Sequence, residues 1–335
     1  MLGLRRTLLF FRSVEANALQ SFPCRQSACS FSSIDGAERT NLFFEEDVQS
    51  LLKKLTRKDM NKVFRKKKDG KRVKDTVYKF MTTTQLEEAV KDAEKKADKL
   101  LQMPPVLSER KEIDHVLVED KKLVGLFKTK FVFTDISLGK TDRNRTIAVR
   151  DENGTLRLAN WEERTRMNQI YFPRTARELW VPVMFQEENL VPLLEKKEWE
   201  FVLDRACAQF EPDDPEYIRV TRKVYEFVNS TGDFNTLRST RHYGPLVFHL
   251  ALFNNLDALL NENLETDRLE DACWAIQLYK ILHPEAKISS SFDQSSQLDY
   301  VKEFIDNCSN DKPKLELAYK NFKHYLSSPR SAAVV

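Results

Sequence analysis

Glycine is scarce in this sequence, and its spacing excludes several classes of enzyme. Only eight of the 335 residues are glycine, and no two of them lie closer than twelve positions along the chain. Dinucleotide-binding turns, phosphate-binding loops and the nucleophile turn of many hydrolases each need glycines within a few positions of one another. The sequence therefore predicts a protein that has none of these three sites.

Clustered metal ligands and long apolar runs are also missing. The five cysteines form no Cys-x-x-Cys pair, and no two of the five histidines have the i,i+4 spacing of a helical metal site. The longest nearly uncharged run, residues 244–253, is far shorter than the roughly 20 residues that a membrane-spanning helix needs. We therefore predict no metal, no cofactor, no membrane contact, no small-molecule substrate and no enzymatic activity, although a dispersed catalytic triad would leave no local pattern.

Residues 1–34 differ from the rest of the chain in charge and composition. They contain four arginines, no lysine and a single acidic residue, and serine is frequent near their end. On a helix, Leu4, Leu8, Phe11 and Val14 would lie on one side and Arg5, Arg6 and Arg12 on the other, although Leu2 and Leu9 do not follow this separation. Basic amphipathic helices of this kind are typical of mitochondrial transit peptides. We predict import into the mitochondrial matrix, with cleavage between Arg25 and Asp35; the alternative is a frayed basic tail.

The remainder of the chain is neutral overall, but its charges are segregated. Residues 53–79 carry thirteen basic and three acidic residues, a net charge of +10. Such a tract can neutralise phosphate groups and release counterions, so it predicts contact with an RNA backbone, unless it is merely a solvated tract. The predicted RNA-contact residues are Lys62, Arg65, Lys66, Lys67, Lys68, Lys71, Arg72 and Lys74. Residues 187–216 carry a net charge of −7 and predict a docking face for basic proteins, or else ordinary solvated helix surface.

A β-hairpin is predicted for residues 145–159, because Asn153-Gly154 suits a two-residue type I′ turn. In that register Arg150 lies directly opposite Arg157, and like charges in this position are destabilising. A bound anion would relieve the repulsion, so Arg150 and Arg157 are a candidate phosphate clamp. The alternative is that a nearby acidic side chain or solvent relieves it.

Helical periodicity dominates the other segments. A capping-box spacing from Thr84 to Glu87 predicts a helix that ends near Leu101, and we expect its apolar stripe to pack into the core. Asn160 and Glu163 predict the start of another helix in the same way. Alternation predicts a strand over residues 130–137. The other predicted helices cover residues 47–58, 187–210, 215–229, 244–265, 267–282, 294–308 and 312–327.

These elements predict an α+β fold that is predominantly helical, with a central β-hairpin and strand region and a helical C-terminal region. The expected divisions are a transit peptide at 1–34, a helix plus basic tract at 35–80, a central α+β region at 81–185, a helical region at 186–284, and a linker with C-terminal helices at 285–335.

Nine short segments, taken in order, resemble one known family. They are FFEEDVQ at 43–49, QLEEA at 85–89, QMPPVL at 102–107, VFTDIS at 132–137, GTLR at 154–157, WEER at 161–164, YFP at 171–173, AQFEP at 208–212 and LRSTR at 237–241. Over residues 43–284 the chain is similar to the twenty-second small-subunit protein of the mitochondrial ribosome. The resemblance implies a structural protein that contacts small-subunit rRNA and neighbouring ribosomal proteins and has no known catalytic residues. The alternative function is a helical adaptor of the matrix or a ribosome assembly factor.

Overall fold

The computed structural model describes residues 39–65, 77–126, 128–288 and 297–327. The predicted transit peptide, the basic tract from Lys66 to Arg72 and Lys74, and the predicted linker at 289–296 lie outside the described residues. Within them, helices precede and follow a small antiparallel sheet in the middle of the chain. The predicted α+β class with a helical majority is therefore confirmed, whereas the expected domain boundaries stay a prediction.

The first helices place an apolar face in the core and lead to the basic tract. Helix α1 spans Glu46–Thr56, and the short helix α2 spans Met60–Val63. Val48, Leu52 and Leu55 of α1 are fully buried, because residues three and four apart lie on one face of a helix. The predicted helix at 47–58 is thus confirmed. It contains the first residues of the basic tract (53–79), and most of the tract follows it.

Helix α3 spans Thr83–Leu100 and begins two residues earlier than the sequence predicted. The N-cap is Thr82 rather than Thr84, and a capping box joins Thr82 to Gln85. The Thr82-Thr83-Thr84 run offers equivalent caps, and the first of them allows the longest helix. The expected core packing of its stripe is wrong for most of the helix, because Ala97 is buried while Leu86, Val90 and Leu100 are exposed.

The central sheet has four short antiparallel strands in the order β1–β4–β3–β2. The strands are β1 (Val116–Glu119), β2 (Phe131–Thr134), β3 (Ile147–Arg150) and β4 (Thr155–Leu158). The predicted strand near residue 130 and the predicted hairpin are confirmed. Strand β1 was not predicted, because it is an edge strand whose residues are all exposed and show no apolar alternation.

The hairpin register differs by one residue from the predicted one. Val149 pairs with Arg157, and Arg150 pairs with Leu156. The Gly154 N–H donates to the carbonyl of Asp151 at 3.0 Å, and Gly154 has a φ of 77°. A type I′ turn would also need positive φ at the residue before Gly154, which the structure does not show. The loop is therefore three residues long, and the predicted arginine-to-arginine pairing is wrong.

Helix α4, Trp161–Tyr171, follows the sheet and covers one of its faces. Asn160 and Glu163 form the predicted capping box, so this helix start is confirmed. Ile147 and Val149 are fully buried on the covered face, where Met167 packs against them. On the opposite face, Phe133 of β2 is exposed, whereas Ala148, Leu156 and Leu158 are half-buried.

The C-terminal part of the described chain is helical, as predicted. Its helices are α5 (Glu187–Glu195), α6 (Trp199–Gln209), α7 (Pro215–Thr231), α8 (Tyr243–Leu252), α9 (Asp257–Glu265), α10 (Leu269–Leu282), α11 (Gln297–Cys308) and α12 (Lys312–Ser327). The two longest predicted helices each divide in two, at turns where Lys197 and Asn254 adopt φ values of 59° and 56°. Most of the buried apolar side chains lie in this helical region together with α1.

None of the helices in the described residues combines the length with the apolar character that crossing a bilayer requires.

Replacing Gly154 should destabilise the protein more than replacing a comparable glycine. Both Gly154 and Gly139 have positive φ, so alanine costs about 1 kcal/mol of backbone strain at either position. A Cβ at Gly154 would also collide with the carbonyl oxygen of Asp120, whereas a Cβ at Gly139 meets no atom within 4 Å. Urea unfolding should therefore show a larger loss for Gly154→Ala than for Gly139→Ala, and equal losses would contradict this account of the loop.

Candidate RNA and protein interface

The predicted RNA-contact residues fall into three groups in the structure. Lys66, Lys67, Lys68, Lys71, Arg72 and Lys74 lie outside the described residues. Lys62 lies in α2 and Arg65 lies just after it, in the described part of the basic tract. Arg150 and Arg157 lie on neighbouring strands of the central sheet. The structure does not bring the second and third groups into one site.

Lys62 and Arg65 attach the beginning of the basic tract to the helical region. The Lys62 Nζ donates to the backbone oxygen of Asn235 at 2.9 Å and to its Oδ1 at 3.0 Å. Arg65 forms an ion pair with Glu200. Burial is the main cause that lowers the pKa of Lys62, and neighbouring guanidinium groups lower it further. Both side chains therefore hold the tract at a defined point on the protein.

A buried ion-pair network lies just before that point. Asp271, in the first turn of α10, is fully buried. Its Oδ1 accepts from the Arg57 Nε at 3.0 Å and Nη2 at 2.8 Å, and its Oδ2 accepts from the Arg238 Nη1 at 3.0 Å. Arg238 is itself buried and also donates to Glu262 at 2.5 Å. A buried charge is tolerated only when it is paired in this way.

The backbone reinforces the same junction. Ser239 adopts a φ of 61°, which is unfavourable for a residue with a side chain. In this conformation its N–H donates to the carbonyl oxygen of Thr56 at 3.1 Å. The last residue of α1 is thereby joined to the loop before α8, so the chain leaves α1 toward Lys62 and Arg65 from a fixed position.

This network, which we call the Asp271 anchor (Arg57, Arg238, Glu262 and Asp271), was not identified from the sequence. Arg238 lies in one of the segments that carried the resemblance, but no role was assigned to it. Asp271 lies four residues before Ala275 and eleven before Leu282, both fully buried on the same helix. A lone acidic residue on an apolar helix face was therefore the signal that could have revealed the anchor.

Arg157 is engaged by acidic side chains of its own chain. It donates to Asp151 at 2.7 Å and to Glu163 at 2.9 Å. These hydrogen bonds lower the pKa of both carboxyl groups and raise the pKa of Arg157. Arg150 forms no ion pair with any described residue and lies opposite Phe131 of β2. The two arginines thus have different surroundings, and their contact with RNA stays a prediction.

The acidic stretch at 187–216 is largely neutralised within the chain. Seven of its ten carboxylates form ion pairs: Glu187 with Lys223, Glu200 with Arg65, Asp204 with Arg241, Glu211 with Arg174, Asp213 with Arg143, Asp214 with Arg110 and Glu216 with Arg219. Among the described residues, Glu188, Glu195 and Glu198 form no ion pair. The predicted acidic docking face is therefore reduced to these three side chains.

Three side chains of types that can act in catalysis, His249, Cys207 and Tyr217, are held in unreactive forms. Burial lowers the pKa of His249 to about 3, so this histidine is neutral between the rings of Tyr225 and Phe253. A groove of about 310 Å³ contains Cys207 and Tyr217, and burial raises the pKa of both, so they stay protonated at neutral pH. The described residues contain no group of three or more histidine, cysteine or acidic side chains placed to hold a metal ion.

Comparison with known families decides the relationship of the chain. The family model described as Mitochondrial 28S ribosomal protein S22 matches residues 41–284, well over half of the sequence. The chain belongs to this family. All nine segments that carried the resemblance lie within the matched residues, so the family predicted from the sequence is confirmed.

Two relatives show how far the similarity to the S22 family extends. The chain is 39% identical over 313 residues to the Bos taurus protein named Small ribosomal subunit protein mS22, covering 93% of this chain and 87% of the bovine one. It is 40% identical over 293 residues to the Mus musculus protein of the same name, covering 87% of this chain and 81% of the mouse one.

Removing the charge of Asp271 should destabilise the protein strongly. In Asp271→Asn, Arg57 and Arg238 keep a partner of the same shape but lose the negative charge that offsets them. Breaking a buried ion pair in this way costs about 3–5 kcal/mol. The free energy of unfolding, measured in urea by circular dichroism, should fall by this amount.

The matched control is Glu316→Gln, which breaks an exposed pair with Lys320 on α12. Exposed pairs contribute at most about 1 kcal/mol, so this variant should stay close to the wild-type protein. If the two substitutions had equal effects, the Asp271 anchor would not hold the fold together.

Proposed function

We propose that this chain is a structural constituent of the mitochondrial small ribosomal subunit and that it has no catalytic role. The observation that carries the proposal is membership of the S22 family, together with relatives named as small ribosomal subunit proteins that match along most of their length. The partners we propose are small-subunit rRNA and neighbouring ribosomal proteins. The unreactive surroundings of His249, Cys207 and Tyr217 support a role that depends on surfaces.

We also propose that the protein works in the mitochondrial matrix. Residues 1–34 have the composition of a transit peptide, and their removal would take away the excess of positive charge in the sequence. The rest of the chain is neutral overall, which suits a protein that touches RNA with limited patches and proteins with the remainder of its surface.

The basic tract is the first of the proposed RNA contacts. It is tethered at Arg57 by the Asp271 anchor and again at Lys62 and Arg65, all within its described part. A tract with a fixed origin loses less conformational freedom on binding than a free tail does. We propose that the lysines and arginines from Lys66 to Lys74, together with Arg150, contact phosphate groups. Arg157, which two carboxylates already hold, would contribute less.

Helix α3 supports the proposal of a protein neighbour. Leu86, Val90 and Leu100 lie on one side of this helix and are about half exposed in the described structure. Apolar side chains that share an exposed face are typical of protein interfaces. The three carboxylates of the acidic stretch that form no internal ion pair, Glu188, Glu195 and Glu198, offer a smaller polar contact.

Sedimentation distinguishes a structural constituent from the alternative of a transient adaptor or assembly factor. We expect the tagged full-length protein to co-sediment with purified mitochondrial small subunits in a sucrose gradient, and to stay with them after washing at moderate salt. Release into the light fractions at that salt, with the small subunit otherwise intact, would favour the adaptor.

Neutralising the basic tract should reduce the salt dependence of binding. The variant carries Lys66→Gln, Lys67→Gln, Lys68→Gln, Lys71→Gln and Arg72→Gln. Each lost phosphate contact removes about 0.7–0.9 from the slope of log affinity against log salt, so we expect the slope for binding to depleted small subunits to fall by roughly 3.5–4.5 for the five lost contacts.

The control for this variant replaces three exposed lysines of α12, Lys314, Lys320 and Lys323, with glutamine. Their removal should leave the slope unchanged. An unchanged slope in the tract variant as well would remove the tract from the RNA interface.

A further inference from the structure

One side of helix α3 carries a row of apolar side chains. They follow one another at alternating intervals of four and three residues, which keeps them in line along a helix. We call this row the α3 seam: Leu86, Val90, Ala93, Ala97 and Leu100. Leu86 and Val90 are 55% and 47% exposed, whereas Ala97 is fully buried. The described chain therefore covers the seam at Ala97 and leaves it open at Leu86 and Val90.

The described chain holds α3 near its C-terminal end. The short helix α2 packs against α3, and Lys58 forms an ion pair with Asp98. All eighteen residues of α3 are described, and Ala97 alone among them is buried. Most helices in proteins derive their stability from the packing of an apolar face. A helix of this length with a single buried residue therefore lacks a packing partner along its first three turns.

The uncovered part of α3 is acidic. Residues 83–94 contain four acidic residues and one basic residue, a net charge of −3. Glu87 and Glu94 directly follow Leu86 and Ala93, so both border the same edge of the seam. Both are exposed and form no ion pair with any described residue. An acidic edge repels the phosphates of RNA and attracts basic side chains, so the charge favours a basic protein as the occupant.

We propose that the α3 seam docks a basic amphipathic helix of a neighbouring small-subunit protein. Apolar rows with this spacing pack against a second helix, whose side chains enter the spaces between their own. Ala93 contributes only a methyl group, so the two helix axes can approach toward the lower end of the usual 8–10 Å. Lysines of the partner helix then lie opposite Glu87 and Glu94. The inference rests on the proposed function for the origin of the partner, and it adds the partner's helical form, its charge and the place of contact.

Zero-length crosslinking with a carbodiimide, applied to purified mitochondrial small subunits, tests what covers the seam. The reagent joins a carboxylate to a lysine in direct contact with it. We expect Glu87 or Glu94 to be joined to lysines of another ribosomal protein, in a segment whose apolar residues recur at intervals of three and four. Crosslinks that lead only to this chain's own basic tract, or only to a second copy of this chain, would overturn the proposal.

Charge reversal tests the acidic edge of the seam. Glu87→Lys combined with Glu94→Lys should weaken the binding of the full-length protein to depleted small subunits roughly tenfold or more, because like charges would then meet across the contact. The matched control is Glu88→Lys combined with Asp92→Lys, which changes the net charge equally but on the opposite side of the helix. This control should bind as the wild-type protein does. Equal losses in the two variants would show an effect of net charge alone and would overturn the proposal.

Shortening the apolar side chains tests the seam itself. Leu86→Ala combined with Val90→Ala should weaken binding to the same depleted subunits roughly tenfold or more. Alanine favours the helix and both side chains are about half exposed, so the unfolding midpoint should stay close to that of the wild-type protein. The control, Lys91→Ala combined with Lys95→Ala, changes side chains away from the seam and should leave the affinity unchanged.

The failure of this inference and that of the proposed function give different results. If the Leu86→Ala, Val90→Ala protein bound depleted small subunits as tightly as the wild-type protein, no helix would dock on the α3 seam, although the protein would still belong to the particle. Failure of the wild-type protein to sediment with small subunits would contradict the proposed function instead.

Discussion

The position of the basic tract depends on one buried carboxylate. Asp271 has no exposed surface, and such a charge is stable only with oppositely charged partners in direct contact. Its partners, Arg57 and Arg238, come from two other parts of the chain. The pairing therefore joins the end of α1, the loop before α8 and the start of α10. Because Arg57 directly follows α1, the same contact decides where the chain emerges toward Lys62 and Arg65.

Acidic and basic side chains differ in how many of them are paired within the chain. Most carboxylates of the acidic stretch form ion pairs with arginines of the same chain. Arg110 and Arg143, from the central region, meet the adjacent acids Asp214 and Asp213 at 2.7 and 2.5 Å. Among the described residues around the sheet, Lys121, Lys122, Lys128, Lys140 and Arg150 form no ion pair, and by sequence the basic tract carries a net charge of +10. A neutral chain can thus present basic surfaces to RNA, as a structural component of a ribonucleoprotein particle requires.

A one-residue difference in hairpin register gives Arg150 and Arg157 different surroundings. The dipeptide Asn153-Gly154 is compatible with a two-residue loop, but only Gly154 adopts positive φ, so the loop has three residues. Arg157 then reaches Asp151 and Glu163, and Arg150 lies beside Phe131. Arg157 therefore forms an internal ion pair while Arg150 forms none with a described residue, and the contact of either arginine with RNA stays a prediction.

Local sequence by itself determined most helices, the hairpin, the family and the basic character of the proposed RNA contacts. Caps such as Asn160 with Glu163, and apolar spacing such as that of α1, act within a few residues, so they can be recognised without the fold. Only the tertiary structure decided which charges remain for a partner. Asp271 contacts Arg57, which lies more than two hundred residues earlier in the chain. The strand register depends on the length of the hairpin loop, and Asn153-Gly154 is compatible with a two-residue loop as well as with a three-residue loop. Contacts of that range leave no periodic pattern in the sequence, which is why the partners of Asp271 and the surroundings of Arg150 and Arg157 were decided only by the tertiary structure.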